Sequence, residues 1–234
     1  MLAGPLEAGC QDSPRPGVDW TGCSRKLLML SGDDLTGGHF NRAALTSSDF
    51  RKARLSDARL SEAELSYTRF EGADLARADL SKTMGWKANF TRANLEGANL
   101  SGADLSRAVF VETNLAGAIF RKSEMSRADF SRADLTGADL SKAELTRTVF
   151  AGANLSGVRF QYADLARANF EDADLSGADF TGAYLFLAQV KGANLSRALG
   201  LTQSQLSLAC GAADTKLPAG MAQPDAWPCA PEAE

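Results

Sequence analysis

Residues 88–137 read ANFTR ANLEG ANLSG ADLSR AVFVE TNLAG AIFRK SEMSR ADFSR ADLTG when written in blocks of five. Each block has a small first residue, a second residue that is usually polar, a large apolar central residue, and two further residues that are mostly small or polar. From residue 20 to residue 200, every fifth residue is apolar except Arg25, Gly85 and Gly200. This placement predicts that the central residues face an interior, with the small first residues leaving room beside them.

A second period of twenty residues is superposed on the period of five. Eleven of the twelve phenylalanines lie at residue numbers divisible by ten, and seven of them follow one another at intervals of twenty from Phe50 to Phe170. A parallel column from Leu35 to Leu195 contains only leucine. An amphipathic helix would instead repeat its apolar residues at i, i+3, i+4 and i+7. The double period predicts a solenoid that makes one turn in twenty residues, with four sides of five residues each.

Three blocks carry a family resemblance, namely residues 93–97 (ANLEG), 133–137 (ADLTG) and 173–177 (ADLSG). They resemble the A(D/N)LXX signature of pentapeptide-repeat proteins, and the resemblance extends over residues 18–200. It implies an all-β fold, a right-handed quadrilateral β-helix of about nine turns. At about 4.8 Å for each stacked layer, such a rod would be roughly 43 Å long.

The remaining sequence divides the chain into three predicted segments. Residues 1–17 form an irregular N-terminal segment, residues 18–200 form the β-helix, and residues 201–234 form a capping helix followed by a proline-rich tail. Thr202 and Gln205 have the spacing of a capping box, which predicts a short helix over about 203–210. Trp227 is expected to anchor the tail against the rod.

The central pattern has one internal irregularity and one apolar surface segment. Gly85 occupies a position where leucine is usual, so we expect either a bend with Trp86 exposed or a neighbouring side chain that fills the gap. Phe186 and Leu187 fall on outward positions. An exposed apolar patch can mark a protein contact, but the proline-rich tail could also cover these two residues.

Two columns of charge are predicted on one side of the solenoid, because residues twenty apart stack on one another. The second positions of four successive turns are acidic and the fifth positions are arginine, so one edge of this side is acidic and the other is basic. The columns are a candidate recognition surface, although they could equally pair with each other and serve solubility. The acidic residues are Asp104, Glu124, Glu144 and Asp164, and the basic residues are Arg107, Arg127, Arg147 and Arg167.

The four cysteines flank the repeats and suggest two local disulfides, Cys10 with Cys23 and Cys210 with Cys229. Disulfides are typical of oxidising compartments, whereas residues 1–9 lack the length and the charged start of a signal peptide. Export to the periplasm and a cytoplasmic location with four reduced thiols are therefore both open.

The composition weighs against several classes of protein. The net charge is −4 and the isoelectric point is about 5.2, which is not the basic balance of a nucleic-acid-binding domain. His39 is the only histidine, so histidine-based acid–base or triad chemistry lacks material. Metal-binding, phosphate-binding and CxxC motifs are not found in the sequence. No membrane span, cofactor or metal is expected, and the protein is not expected to be an enzyme.

These observations favour a non-catalytic scaffold that binds another protein, as a monomer or an end-to-end dimer. The family resemblance implies an alternative, a DNA-mimicking modulator of DNA gyrase. The near balance of 25 Lys and Arg against 29 Asp and Glu is unlike such a mimic. A structural protein of the periplasm or envelope is a third hypothesis, based on the cysteines alone.

Overall fold

The computed structural model describes residues 9–228, which form a mostly β solenoid. Its β-structure consists of isolated parallel bridges rather than long strands. Each second-position residue is bridged to the residue twenty positions later, beginning with Asp19 and His39 and continuing to Asp179 and Leu199. Four such bridges occur in every twenty residues, so four columns of bridges run along the rod. The bridging confirms that residues twenty apart lie directly over one another.

Inward-facing side chains from the first and central positions fill the core. Central residues from Leu30 to Leu195 are buried, and the alanines at first positions are buried beside them. The phenylalanine column stacks ring on ring, with the centroids of Phe110 and Phe130 4.6 Å apart and their planes at 3°. A small residue beside a large one lets every turn fill the same narrow interior without overlap.

Fourth and fifth positions make the corners. The N–H of the next first residue donates to the central carbonyl, as in Ala128 to Met125 at 3.0 Å. The fifth residue has a positive φ in almost every turn, including many that are not glycine, such as Arg127 at 61°. This conformation costs a non-glycine residue about 1–2 kcal/mol. At the same corner, the N–H of Arg127 donates to the carbonyl of Thr146 in the next turn at 3.0 Å. The corner therefore also joins neighbouring turns.

Asp and Asn at second positions brace the corners from outside. The Oδ1 of Asp129 accepts the backbone N–H of Ser131 at 2.9 Å, and the same bond recurs at many other turns. On the leucine side, Asn94 also donates through Nδ2 to Asp74 at 3.0 Å. The second-position Asp and Asn residues on this side therefore both brace the corners and bond to one another along the rod.

Gly85 does not interrupt the solenoid. Its N–H donates to the carbonyl of Asp104 at 2.7 Å, and Met84 is bridged to the turns on both sides. A Cβ at Gly85 would lie only 2.7 Å from Cδ2 of Leu105. The side chain of Leu105 therefore occupies the space, while Met84 points outward with 49% of its surface exposed.

Residues 10–25 close the N-terminal end of the core. The fully buried Trp20 packs edge-on against Phe40, and the guanidinium of Arg25 lies 3.9 Å from the centroid of the Trp20 ring. Arg25 also donates to the carbonyl of Asp12 at 2.9 Å. A disulfide joins Cys10 to Cys23. The polar residue at central position 25 thus serves as part of the cap.

Helix α1, Gln203–Leu208, closes the C-terminal end. Thr202 and Gln205 form the capping box, and Nε2 of Gln205 also donates to the carbonyls of Phe180 and Ala183 at 2.9 and 2.8 Å. The helix ends earlier than the predicted residue 210, because Cys210 is extended and bridged to Gln189.

The tail after α1 returns to the end of the rod. Nε1 of Trp227 donates to the carbonyl of Ala209 at 2.7 Å, and the Trp227 ring is 7% exposed. The predicted anchoring role of Trp227 is therefore confirmed. Cys210 is buried, and its predicted partner Cys229 lies outside the described residues.

Candidate functional site

The predicted charge columns lie on one side of the solenoid, which we call the striped face. Its acidic column consists of consecutively bridged second-position residues, so their backbones stack in register at about 4.8 Å. Its basic column occupies the following corner in the same four turns. The acidic column is Asp104, Glu124, Glu144 and Asp164, and the basic column is Arg107, Arg127, Arg147 and Arg167.

Carboxylates of the acidic column are only lightly engaged. Asp104 and Asp164 accept the backbone N–H of the residue two positions later, at 3.0 and 2.9 Å. Glu124 and Glu144 are exposed, and within residues 9–228 the side chain of neither makes a hydrogen bond or an ion pair. Four negative side chains are thus stacked, and no lysine or arginine of residues 9–228 forms an ion pair with any of them.

Three arginines of the basic column make no ion pair in the described part of the chain. Arg107, Arg127 and Arg147 are exposed, and their positive φ angles direct the chain around the corner. In the described part of the chain, none of these three guanidinium groups lies within 4.0 Å of a carboxylate. The structure therefore brings the two columns together in the same turns without joining them into ion pairs.

Elsewhere on the rod, three acids are each bound by two arginines. Asp49, whose side chain is 1% exposed, is held by Arg51 at 2.7 Å and Arg69 at 2.8 Å. Two further clusters have the same form. In one, Arg121 and Arg159 bind Asp139 at 2.7 and 2.9 Å, and in the other, Arg92 and Arg132 bind Glu112 at 2.7 and 2.9 Å.

We call these three groups the paired clusters. Sequence reasoning missed them, although an arginine eighteen or twenty residues from an acid was the available signal.

Hydrogen bonds in the paired clusters shift the acids toward their charged form. The side-chain hydrogen bond from Arg51 lowers the pKa of Asp49. Burial on its own would raise the pKa of Asp139, but hydrogen bonds from Arg159 and Ser141 outweigh it, so the net pKa of Asp139 is lowered. The charge of these acids is therefore balanced by arginines of the same molecule.

An aromatic group lies toward the N-terminal end of the striped face. The rings of Tyr67 and Trp86 meet edge to face with centroids 5.0 Å apart, and Nζ of Lys87 lies 4.4 Å from the centroid of Trp86. Tyr67 is 50% exposed. Trp86 is half-buried.

A second apolar group lies at the C-terminal end of the same face. Tyr184 and Phe186 stack with centroids 6.1 Å apart. The carbonyl of Leu208 accepts the N–H of Leu187 at 2.7 Å, which places Leu208 on the next layer. Phe186 remains 40% exposed with the described part of the tail in place. Residues 217–228 therefore leave Phe186 accessible, although they pack against the end of the core.

The described surface offers charge recognition rather than a catalytic constellation. A groove of about 500 Å³, lined by residues that include Asp57, Arg59, Arg77 and Asp79, is open to solvent on another side. Residues 9–228 contain no group of His, Cys, Asp and Glu arranged to hold a metal ion. None of the helices described is long and apolar enough to cross a membrane.

Comparison with known proteins identifies the repeats. The family described as Pentapeptide repeats matches residues 30–61, 53–84 and 88–127 with eight copies, and the Pentapeptide repeat region family matches residues 123–198. No curated protein matches the chain.

Several solved structures are similar to parts of the chain. HetL, a pentapeptide repeat protein involved in heterocyst differentiation regulation in the cyanobacterium Nostoc sp. strain PCC 7120, is 31% identical, with 76% of this chain and 89% of HetL covered and a TM-score of 0.41. A pentapeptide repeat protein of the Arabidopsis thaliana thylakoid lumen is 30% identical, with 54% and 80% covered and a TM-score of 0.23. QnrB1, a plasmid-mediated fluoroquinolone resistance protein, is 24% identical, with 86% and 91% covered and a TM-score of 0.38.

Proposed function

Because the chain belongs to the pentapeptide-repeat family, we propose that it is a non-catalytic scaffold that binds another protein through the striped face. The observation that carries this proposal is the segregation of unpaired charge. The acids of the paired clusters are each held by two arginines of the same molecule, whereas the side chains of Glu124 and Glu144 have no such partner in the described residues. Charge that is left unpaired and ordered in columns is available to select and orient a partner.

The proposed scaffold keeps the three segments predicted from the sequence. They are an irregular N-terminal segment over residues 1–17, the β-helix over residues 18–200, and a capping helix with a proline-rich tail over residues 201–234, and this division remains a prediction. The right-handed quadrilateral path and the count of about nine turns remain predictions. A backbone in which every turn is hydrogen-bonded to the next holds the columns in fixed register, and this pre-organisation favours binding.

Quantitative affinity capture from cells that make this protein tests the proposal. The bait proteins are the native chain, the striped-face variant Glu124→Arg/Glu144→Arg, and the control variant Glu96→Arg/Asp172→Arg. Both variants change the net charge by the same amount, and all four substituted residues are exposed. We expect a protein that is captured by the native chain and the control but lost with the striped-face variant. If all three baits capture the same proteins, the striped face is not the binding surface.

The acidic column also favours a second candidate, a DNA-mimicking modulator of DNA gyrase. Against it, the basic column runs beside the acidic column, so this face does not present continuous negative charge. A supercoiling assay with purified DNA gyrase distinguishes the two candidates. Inhibition by the native chain that disappears in the striped-face variant would support the mimic, and unaltered supercoiling would reject it.

The disulfide between Cys10 and Cys23 favours a third candidate, a structural protein of the periplasm or envelope, because such bonds persist in oxidising compartments. Counting free thiols on the protein isolated from its own cells tests this candidate. Four free thiols without reductant would reject it.

A further inference from the structure

We infer that the partner of the striped face is a second copy of this chain, lying side by side and parallel with the first around a two-fold axis along the rod. This inference rests on the proposed function, since it names the partner for the same face. It is carried by the spacing of the two columns, by their order across the face, and by the residues that lie between them.

The spacing of the charges restricts what the partner can be. Charges in each column repeat at about 4.8 Å, the distance between hydrogen-bonded β layers. Same-side residues of an extended peptide repeat at about 6.7 Å, so such a peptide running along the column is about 6 Å out of step after three intervals. The partner must therefore carry charge at the spacing of a stacked β-structure. This chain has both signs of charge at that spacing in the same four turns.

The order of the two columns across the face restricts how two copies can face each other. A two-fold axis that runs along the rod between the columns places the acidic column of each copy opposite the basic column of the other, at equal height. The three layers that contain Arg107, Arg127 and Arg147 then give six reciprocal pairs, as an isologous interface requires. A two-fold axis across the rod would instead place acid opposite acid and arginine opposite arginine. The charges therefore select the parallel arrangement.

The fourth positions lie between the two columns in sequence. In the four charged layers these residues are small, so two rods could approach closely along the axis. At the two ends of the charged layers the same column has Trp86 and Phe186, each partly exposed. Aromatic residues are the side chains most often responsible for binding energy at interfaces. The small residues are Ser106, Ser126, Thr146 and Ala166.

The resulting contact is long and narrow, and it depends largely on exposed ion pairs. Such pairs contribute about 0–1 kcal/mol each and are screened by salt. We therefore expect a weak dimer whose dissociation constant rises by about tenfold or more between 50 and 500 mM salt.

Sedimentation equilibrium of the full chain at the two salt concentrations is the first test. Two variants, Glu124→Arg/Glu144→Arg and Arg127→Glu/Arg147→Glu, should each be monomeric because like charges then face each other in the central layers. Mixed in equal amounts, they should form a heterodimer, because opposite charges then face each other again in the central layers. The control Glu96→Arg/Asp172→Arg should dimerise as the native chain does.

Both reversed variants should fold, because the chain already uses the same residues at equivalent positions. Arginine occupies second positions at Arg69 and Arg159, and glutamate occupies fifth positions with positive φ at Glu62 and Glu112. Unfolding curves of the two variants establish this before the sedimentation data are interpreted.

Three results would overturn the inference. They are a native chain that stays monomeric at about millimolar concentration in 50 mM salt, a dimer that neither variant weakens, and a variant mixture that stays monomeric. If the native chain is monomeric but capture of a cellular protein still depends on Glu124 and Glu144, the self-association fails while the proposed scaffold function stands. If capture is also unchanged by the variants, the proposed function fails separately.

Discussion

The striped face and the paired clusters use the same backbone positions and the same charged side chains, but their charges are arranged differently. In the cluster around Asp139, two arginines lie on the neighbouring layers and bind the acid from both sides. On the striped face, the neighbours of Glu124 are Asp104 and Glu144. The second positions are therefore structurally equivalent, and the residue twenty positions away determines whether a charge is neutralised internally or left for a partner.

This difference separates two uses of one scaffold. Alternating charges along a column stabilise the rod that carries them. Like charges along a column repel one another at the β-layer spacing, so the striped face carries a small stability penalty. A surface that retains such a penalty in four successive layers is consistent with binding rather than with folding stability.

The largest effect is expected from breaking the core that both regions share. Leu135→Asp places a carboxylate in the fully buried leucine column, and an unpaired buried charge costs several kcal/mol. We expect a large fall in the free energy of unfolding by chemical denaturation, or loss of the folded rod. The neighbouring residue 134 points outward. Asp134→Leu should therefore lower the free energy of unfolding by only roughly 1 kcal/mol or less, for the lost bonds to Thr136. Equal effects of the two substitutions would contradict the inward orientation of Leu135.

Removing a paired cluster should have the next largest effect. Asp139→Ala deletes a carboxylate held by Arg121 and Arg159, at an expected cost of about 1–3 kcal/mol in the free energy of unfolding. Asp129→Ala is the matched control, because Asp129 makes the same corner bonds to a serine two positions later without an arginine. We expect the Asp139 variant to be less stable than the control by about 1 kcal/mol or more. A difference near zero would show that the cluster contributes nothing measurable.

The cluster around Asp139 should also make the stability of the protein depend on pH. The pKa of Asp139 is lowered in the folded protein, so its stabilising contribution is present above the unfolded pKa of about 3.9 and is lost as the pH falls through the lower folded value. Asp139→Asn removes this dependence. The difference in unfolding free energy between native chain and variant should be greatest near pH 6 and shrink below pH 4. A difference that is constant from pH 6 to pH 3 would rule out this linkage.

The smallest effect is expected from a substitution that makes the striped face resemble a paired cluster. Glu124→Arg would place a cation between Asp104 and Glu144, which should stabilise the chain by up to about 1 kcal/mol at low salt. Glu96→Arg makes the same change of charge between Ala76 and Ala116 and should not stabilise the chain, because it also removes the attraction between Glu96 and Arg77. The test is the salt dependence of unfolding for both variants. A destabilised Glu124 variant would show that the acidic column is not under repulsive strain.

Much of the fold could be predicted because the pattern repeats more than thirty times with the same physical meaning. A large apolar residue beside a small one specifies the inward positions at every turn, and the capping box and Trp227 signal the C-terminal end. The gap at Gly85 was less predictable. Leu105, one full turn away, fills it, and only the packed interior shows which neighbour has the room to do so.

The candidate site could be predicted only in part. The two columns follow directly from the period of twenty, but whether they pair depends on where each side chain extends from the corner. Arg51 reaches Asp49 from a fourth position, whereas Arg107, Arg127 and Arg147 at fifth positions pair with no acid of the described residues. The positive φ of these corners is not evident from residues such as Arg127, because glycine is the usual signal for it.

The strict pairing of each residue with the one twenty positions later also determines which insertions and deletions the molecule can accommodate. Loss or duplication of twenty residues removes or adds one complete layer, and every later side chain stays above its former column. Loss of five residues preserves the apolar pattern of the interior but turns everything downstream by one side, so Arg147 would no longer lie above Arg127. The length of the protein can therefore change during evolution in whole layers without disturbing its surface, whereas a change of one block would separate the two halves of the striped face.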